Sequence, residues 1–193
     1  MVEKIFIKNR TLIDNLFPFR GVNVYFKNII LILFGTLLLA FSSKIQVPFW
    51  PVPMTMQTFI VLIIAMAYGW KLSFLTLIAY LIEGALGLPV FAKGGGLPYL
   101  IGPTAGYLYG MTIAAAVIGY FADLHYGKSI IKCIVPLLLG TIIIFICGIG
   151  YLSSIIGFEK AIVAGLLPFI PSELFKIALA AFIIPTIWKY IKK

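Results

Sequence analysis

Charge is scarce in this chain, and acid scarcest. Of 193 residues 11% are charged, and only 6 are Asp or Glu. A soluble domain carries about 25% charged residues, so a water-exposed globular surface is excluded. Cysteine and histidine are nearly absent too, with 2 and 1 copies. Cys133 and Cys147 have neither the spacing nor the neighbours of a disulfide framework or metal site. His125 stands near Asp123 and Lys128, with no Ser/His/Asp set or metal cluster in view. No Gly-Lys-Ser/Thr completes the glycine-rich stretch, so it is not a P-loop. No enzymatic role, cofactor or resident metal is expected, and no repeat or low-complexity segment is visible.

What is present is apolar: 62% hydrophobic residues and a mean hydropathy of +1.12. The pattern predicts an all-α integral membrane protein, a bundle of six transmembrane helices. The expected spans are 28–47, 54–68, 72–86, 104–121, 130–151 and 172–190. A span of ~20 residues crosses a bilayer upright. The second and third are shorter, with only Trp70-Lys71 left between them for a tight turn. Residues 161–167 are apolar as well, but Pro168 and Pro171 part them from the last span, so an interfacial turn or partial helix is expected there. Residues 1–27 read as a cytoplasmic or interfacial segment and 28–193 as one membrane domain. The first long apolar run begins too late for a cleaved signal peptide.

The net charge of +9 is a topology signal. With the N-terminus inside, Lys4, Lys8, Arg10, Arg20, Lys27, Lys71, Lys128, Lys132, Lys189, Lys192 and Lys193 fall on the cytoplasmic side. Only Lys44, Lys93 and Lys160 fall outside, and Lys176 sits within a span. This positive-inside bias places both termini in the cytoplasm. Basic residues scattered at segment ends form no patch for nucleic acid.

Unusual sequence collects on the outer side. Gln46 to Thr58 holds Pro48, Pro51 and Pro53, which forbid a regular helix and favour extended backbone. Trp50 in this stretch is either an interface anchor or a lip over a ligand. The run Glu83 to Thr104 is rich in glycine and too apolar for an ordinary exposed loop. A re-entrant or capping loop fits, because irregular backbone at membrane depth must be covered or line a cavity. Lys93, its lone cation, is either solvated or a counter-ion for a ligand carboxylate. Glu83 is either solvated at the outer interface or in contact with ligand. Gly102, Gly106, Gly110 and Ala114 recur every four residues, a small-residue ridge for close helix packing, and Thr104 can cap that helix.

The last span opens on Pro171-Ser172-Glu173-Leu174-Phe175-Lys176. A charge at membrane depth costs roughly 2.5–3.5 kcal/mol and normally faces a polar cavity or the protein interior. At a spacing of three, Glu173 and Lys176 share a helix face. The bland account is a helix capped by Ser172, with Glu173 offsetting the dipole and Lys176 neutralising it. The functional account is an acceptor–donor pair for a small polar ligand. It is preferred, because serine or glutamine caps a helix without burying charge.

Val52-Pro53-Met54-Thr55-Met56-Gln57-Thr58, Gly84-Ala85-Leu86-Gly87-Leu88-Pro89-Val90-Phe91-Ala92 and Gly102-Pro103-Thr104-Ala105-Gly106-Tyr107-Leu108 together resemble the BioY family, the biotin-specific S components of energy-coupling factor transporters. The resemblance runs from about residue 28 to 185. It implies biotin capture near the outer face, under the loops after spans one and three. It also implies uptake with a transmembrane T component and two ATP-binding-cassette ATPases, the S component toppling in the membrane. Three departures stand out. Glu173 replaces the family's usual aspartate, and Lys93 takes the place of a cation that in arginine would be bidentate. Gly35, Leu39 and Ala40 do not reproduce the alanine pair by which many S components dock.

Biotin's chemistry fits these residues. Glu173 can accept from the ureido N–H groups and Lys176 can donate to the ureido oxygen. Trp50, Phe91 and Tyr107 can enclose the apolar part, and Lys93 can pair with the carboxylate. Alternatives are an S component for another small vitamin, a solitary oligomeric biotin carrier, a membrane enzyme or a membrane scaffold. The last leaves Glu173, Lys176 and the glycine-rich loop without purpose.

Overall fold

The computed structural model describes residues 11–16 and 23–191. Lys4, Lys8, Arg10, Arg20, Lys192 and Lys193, with most of the expected interfacial segment 1–27, lie outside the described residues. The chain forms an all-α, multi-spanning membrane bundle. Its helices are α1 (Leu12–Leu16), α2 (Val24–Lys44), α3 (Gln57–Tyr68), α4 (Trp70–Ala85), α5 (Ala105–Asp123), α6 (Ile130–Ile156), α7 (Phe158–Gly165) and α8 (Ile170–Ile191). Three helical stretches are single helices long and apolar enough to cross a membrane: α2, α5 and α6. The run Phe158–Ile191, which holds α7 and α8, is a fourth. Each expected span corresponds to a helix, and the partial helix expected near 161–167 is α7.

Three expectations at helix ends need correction. The break between α3 and α4 falls at Gly69, not at Trp70-Lys71, which are already helical. Gly69 has φ +77°, and a Cβ there would stand 2.2 Å from Asp123 Oδ1. Only glycine meets both demands. Asp123 Oδ2 in turn accepts from Trp70 N at 3.3 Å, at the start of α4. Ser172 does not cap the last helix, because α8 begins at Ile170. Pro171 therefore sits in the first turn, where its missing N–H costs no hydrogen bond. Thr104 precedes α5 but makes no capping bond through its side chain.

α5 is the hub, with 67% of its span buried against 22% of α2. The small-residue ridge explains its fit against α6. A Cβ on Gly106 would lie 2.4 Å from Tyr151 Cβ and 2.5 Å from Cys147 O, so the two helices touch backbone to backbone there. α2 buries one stripe (Leu31, Gly35, Thr36, Leu39, Ser42 and Ser43) and exposes Phe26, Phe34 and Phe41. Such a face suits lipid rather than water. At the bundle end holding α1, Leu12 is buried, Asp14 pairs with Lys27, and Lys128 lies 4.9 Å from the Trp188 ring.

The opposite end carries the irregular sequence. The proline-rich stretch is extended as expected: β1 (Gln46–Val47) pairs antiparallel with β2 (Met54–Thr55), Gln46 facing Thr55. The glycine-rich run leaves α4, bridges Phe91 to Gly94, and winds through a 3-10 turn at Leu97–Ile101. It caps the bundle, with the Phe91 ring fully buried over Gly84.

Candidate functional site

One small cavity lies under these two loops. Its walls are the proline-rich hairpin (Val52, Pro53, Thr55), the start of α3 (Gln57, Thr58) and the glycine-rich loop (Ala92, Tyr99). Tyr107 and Met111 of α5, Ile144 and Phe145 of α6, Phe169 and Glu173 complete it. About 40 Å³ of internal space remains, room for a few waters. A vitamin-sized ligand needs several-fold more, so this is a closed form whose loops must retreat to admit one.

Glu173 of the cavity wall belongs to a buried ion pair. Glu173 and Lys176 are 4% and 3% exposed, and Lys176 Nζ lies 2.6 Å from Glu173 Oε1. Lys176 also donates to Thr55 O at 2.8 Å and Thr58 Oγ1 at 3.0 Å, and Thr58 Oγ1 donates to Glu173 Oε1 at 2.9 Å. The ammonium's three N–H bonds are thereby all engaged. The carboxylate is not saturated: Glu173 Oε2 is buried with no hydrogen-bond partner. An orphaned buried acceptor costs ~1–3 kcal/mol, more when charged. Here it belongs to a residue of the cavity wall, as an acceptor held ready for a ligand N–H would.

The aromatic residues divide. Tyr107 lines the cavity, its hydroxyl tied to Gly165 O at 2.9 Å. Phe91 stands one layer back. It stacks at 4.9 Å on Tyr99, which does line the cavity, and meets Tyr80 edge-on at 5.3 Å. Burial pushes the Tyr99 hydroxyl's pKa up. Trp50 is 81% exposed, Lys93 is exposed and Glu83 is half-buried. None of those three lines the closed cavity.

Sequence reasoning assigned no role to Gln57, Thr58, Tyr99 and Phe169. The first two lie inside the run Thr55-Met56-Gln57-Thr58. Polar residues just after three prolines, at the mouth of an apolar helix, were the available signal. Nothing local marks Phe169. Among the described residues, no group of three or more His, Cys, Asp or Glu residues is placed to hold a metal, and both cysteines are free.

A multi-pass helical bundle with a loop-covered cavity and a buried ion pair at its wall is the build of a membrane protein that binds a small polar ligand. The chain belongs to the BioY family, whose model matches residues 14–193, beyond the 28–185 stretch at both ends. It is 37% identical over 177 residues to the probable biotin transporter BioY of Rickettsia prowazekii (89% of this chain, 87% of that one). It is 37% identical over 150 residues to the biotin transporter BioY of Thermotoga maritima (77% and 88%). Among solved structures it resembles the crystal structure of the S-component for biotin from an ECF-type ABC transporter. The TM-score is 0.75 and the identity 25%, covering 88% of this chain and 95% of that one.

Proposed function

We propose that this chain captures biotin at the outer membrane face and delivers it across as the S component of an energy-coupling factor ABC transporter. Family membership supplies the class. The observation that carries the ligand chemistry is the unpartnered Glu173 Oε2 in the wall of the loop-covered cavity. The ureido ring of biotin offers N–H donors of the kind this oxygen lacks. In this reading Glu173 receives the ring and Lys176 anchors Glu173, meeting the ureido oxygen by releasing one of its three present acceptors. Tyr107 bounds the apolar chain, with Phe91 behind Tyr99. Lys93, Trp50 and Glu83 lie outside the closed cavity, and in this reading Lys93 is offered to the far carboxylate.

The working assembly is this chain with a T component and two ABC ATPases. Six crossings, both termini cytoplasmic, and a membrane domain at 28–193 with an interfacial segment at 1–27 complete the proposal. It is supported by the lysine and arginine asymmetry and by helices at all six expected spans. Two experiments test it. An impermeant thiol reagent added outside should modify Lys160→Cys and spare Lys128→Cys; the reverse pattern inverts the topology. Biotin uptake in a host should vanish when the ATPase and T-component chains are deleted. Full uptake without them makes the chain a solitary carrier.

A further inference from the structure

A second polar array joins the glycine-rich loop to α2, α4 and the cavity wall. Three consecutive loop carbonyls each face a donor side chain from the end of α2 or from β1. Lys44 Nζ donates to Phe91 O at 2.5 Å and Gln46 Nε2 to Ala92 O at 3.2 Å, while the one Ser43 hydroxyl proton is shared between Val90 O at 2.8 Å and its own helix's Ala40 O at 2.7 Å. Val90 O accepts a further bond from the Tyr80 hydroxyl at 2.7 Å. Tyr80 is fully buried on α4 and accepts from Gln57 Nε2 at 2.8 Å. Gln57 lines the cavity.

Proton accounting gives this chain of bonds a direction. A carbonyl only accepts, so the single Tyr80 hydroxyl proton is committed to Val90 O. The hydroxyl oxygen then accepts, which turns the Gln57 amide nitrogen toward Tyr80. The amide oxygen is left beside Thr55 Oγ1, 3.4 Å away and also in the cavity wall. One end of the array therefore stands in the binding cavity. The other end holds the loop that covers it.

We propose that Tyr80 is a positioning residue that latches the loop 86–104 over the cavity through Val90 O, with Ser43 and Lys44 of α2 and Gln46 of β1 holding the same loop. The closed cavity is too small for a vitamin, so ligand entry and exit both require these carbonyl bonds to break. A weakened latch lets the loop open more often whether or not ligand is inside. It therefore speeds association and dissociation together and changes equilibrium affinity less than either rate. A side chain that only packed the core would instead lower affinity. The ligand's identity here rests on the biotin reading; the latch does not.

Tyr80→Phe removes the hydroxyl and keeps the ring. The test uses the full chain in lipid nanodiscs with Cys133→Ala and Cys147→Ala, and with Ala92→Cys as a buried reporter on the loop. Tyr80→Phe should raise the ligand-free labelling rate of that reporter by about 3- to 10-fold. In the chain that keeps Ala92, it should raise biotin association and dissociation rates by similar factors. Ser43→Ala, which takes a shared donor from the same carbonyl, should act in the same direction and more weakly. Tyr68→Phe removes a buried hydroxyl that donates to Leu31 O at 3.1 Å, elsewhere in the bundle, and should change none of these rates. Labelling at the parent rate in Tyr80→Phe, or equal acceleration by Tyr68→Phe, overturns the latch. If the parent chain binds no biotin, the biotin reading falls, and the ligand-free labelling still judges the latch.

Discussion

Lys176 Nζ sits 2.6 Å from Glu173 Oε1, while the other oxygen of the same carboxylate, Oε2, is buried without a partner. The lysine is saturated and the glutamate is not. A purely structural ion pair gains nothing from that asymmetry, because an unpaired buried oxygen weakens the fold. A binding site gains an acceptor whose position is already fixed by Thr58 and Lys176.

This arrangement separates stability from binding. Lys176→Met should destabilise the protein by ~3–5 kcal/mol, since it strands a buried carboxylate. Adding Glu173→Leu to Lys176→Met should recover most of that loss, because a buried ion pair exchanged for apolar residues is often neutral. Biotin binding should be lost in both. Thermal or denaturant unfolding in detergent, beside equilibrium binding, checks this. A double variant that still binds biotin removes the pair from the site.

Gly84 offers a probe of the loop that leaves every polar group intact. A Cβ there would lie 2.0 Å from Phe91 Cζ, so Gly84→Ala must lift the Phe91 ring and the Tyr99 stacked on it. Overpacking of this kind costs ~1–3 kcal/mol. Biotin dissociation should quicken alongside a lower unfolding midpoint. Unchanged dissociation with an unchanged midpoint would mean that the loop does not close through Phe91.

Lys93 is exposed in the closed form, and an exposed ion pair contributes about 0.2–1 kcal/mol. Lys93→Ala should therefore weaken biotin by no more than about fivefold. It should leave biotin amide, which has no charge to pair, unaffected. Titrating both ligands at low and high salt checks this, with the biotin effect shrinking at high salt. Equal loss for both ligands would assign Lys93 a role in the loop rather than at the carboxylate.

How far the sequence reached follows from where each signal resides. The helices were legible because apolar runs of about the right length are local. The Glu173–Lys176 pair was legible because two charges are conspicuous in an apolar span and a spacing of three sets one face. The break at Gly69 was misplaced by a residue or two. What demands glycine there is Asp123, an approach from another helix that no local pattern reveals. The hold of Thr58 on Glu173 and of Gln57 on Tyr80 was invisible for the same reason. Each is a contact between separate segments, made through residues that look ordinary in their own stretch. Trp50 stood out in sequence as a large aromatic among prolines, yet it is 81% exposed. The prolines that surround it shape the hairpin without turning its ring inward.

The central claim is that Glu173 presents an acceptor to a biotin N–H. Glu173→Gln keeps the side chain's size and exchanges an acceptor oxygen for a donor, and a hydrogen bond to a charged group is worth roughly 1.5–3 kcal/mol. The most direct measurement is equilibrium binding of biotin to the purified parent chain and to Glu173→Gln. The account predicts saturable binding by the parent and a loss of about 10- to 150-fold in the variant. Parent-like affinity in Glu173→Gln, with the fold intact, would contradict it.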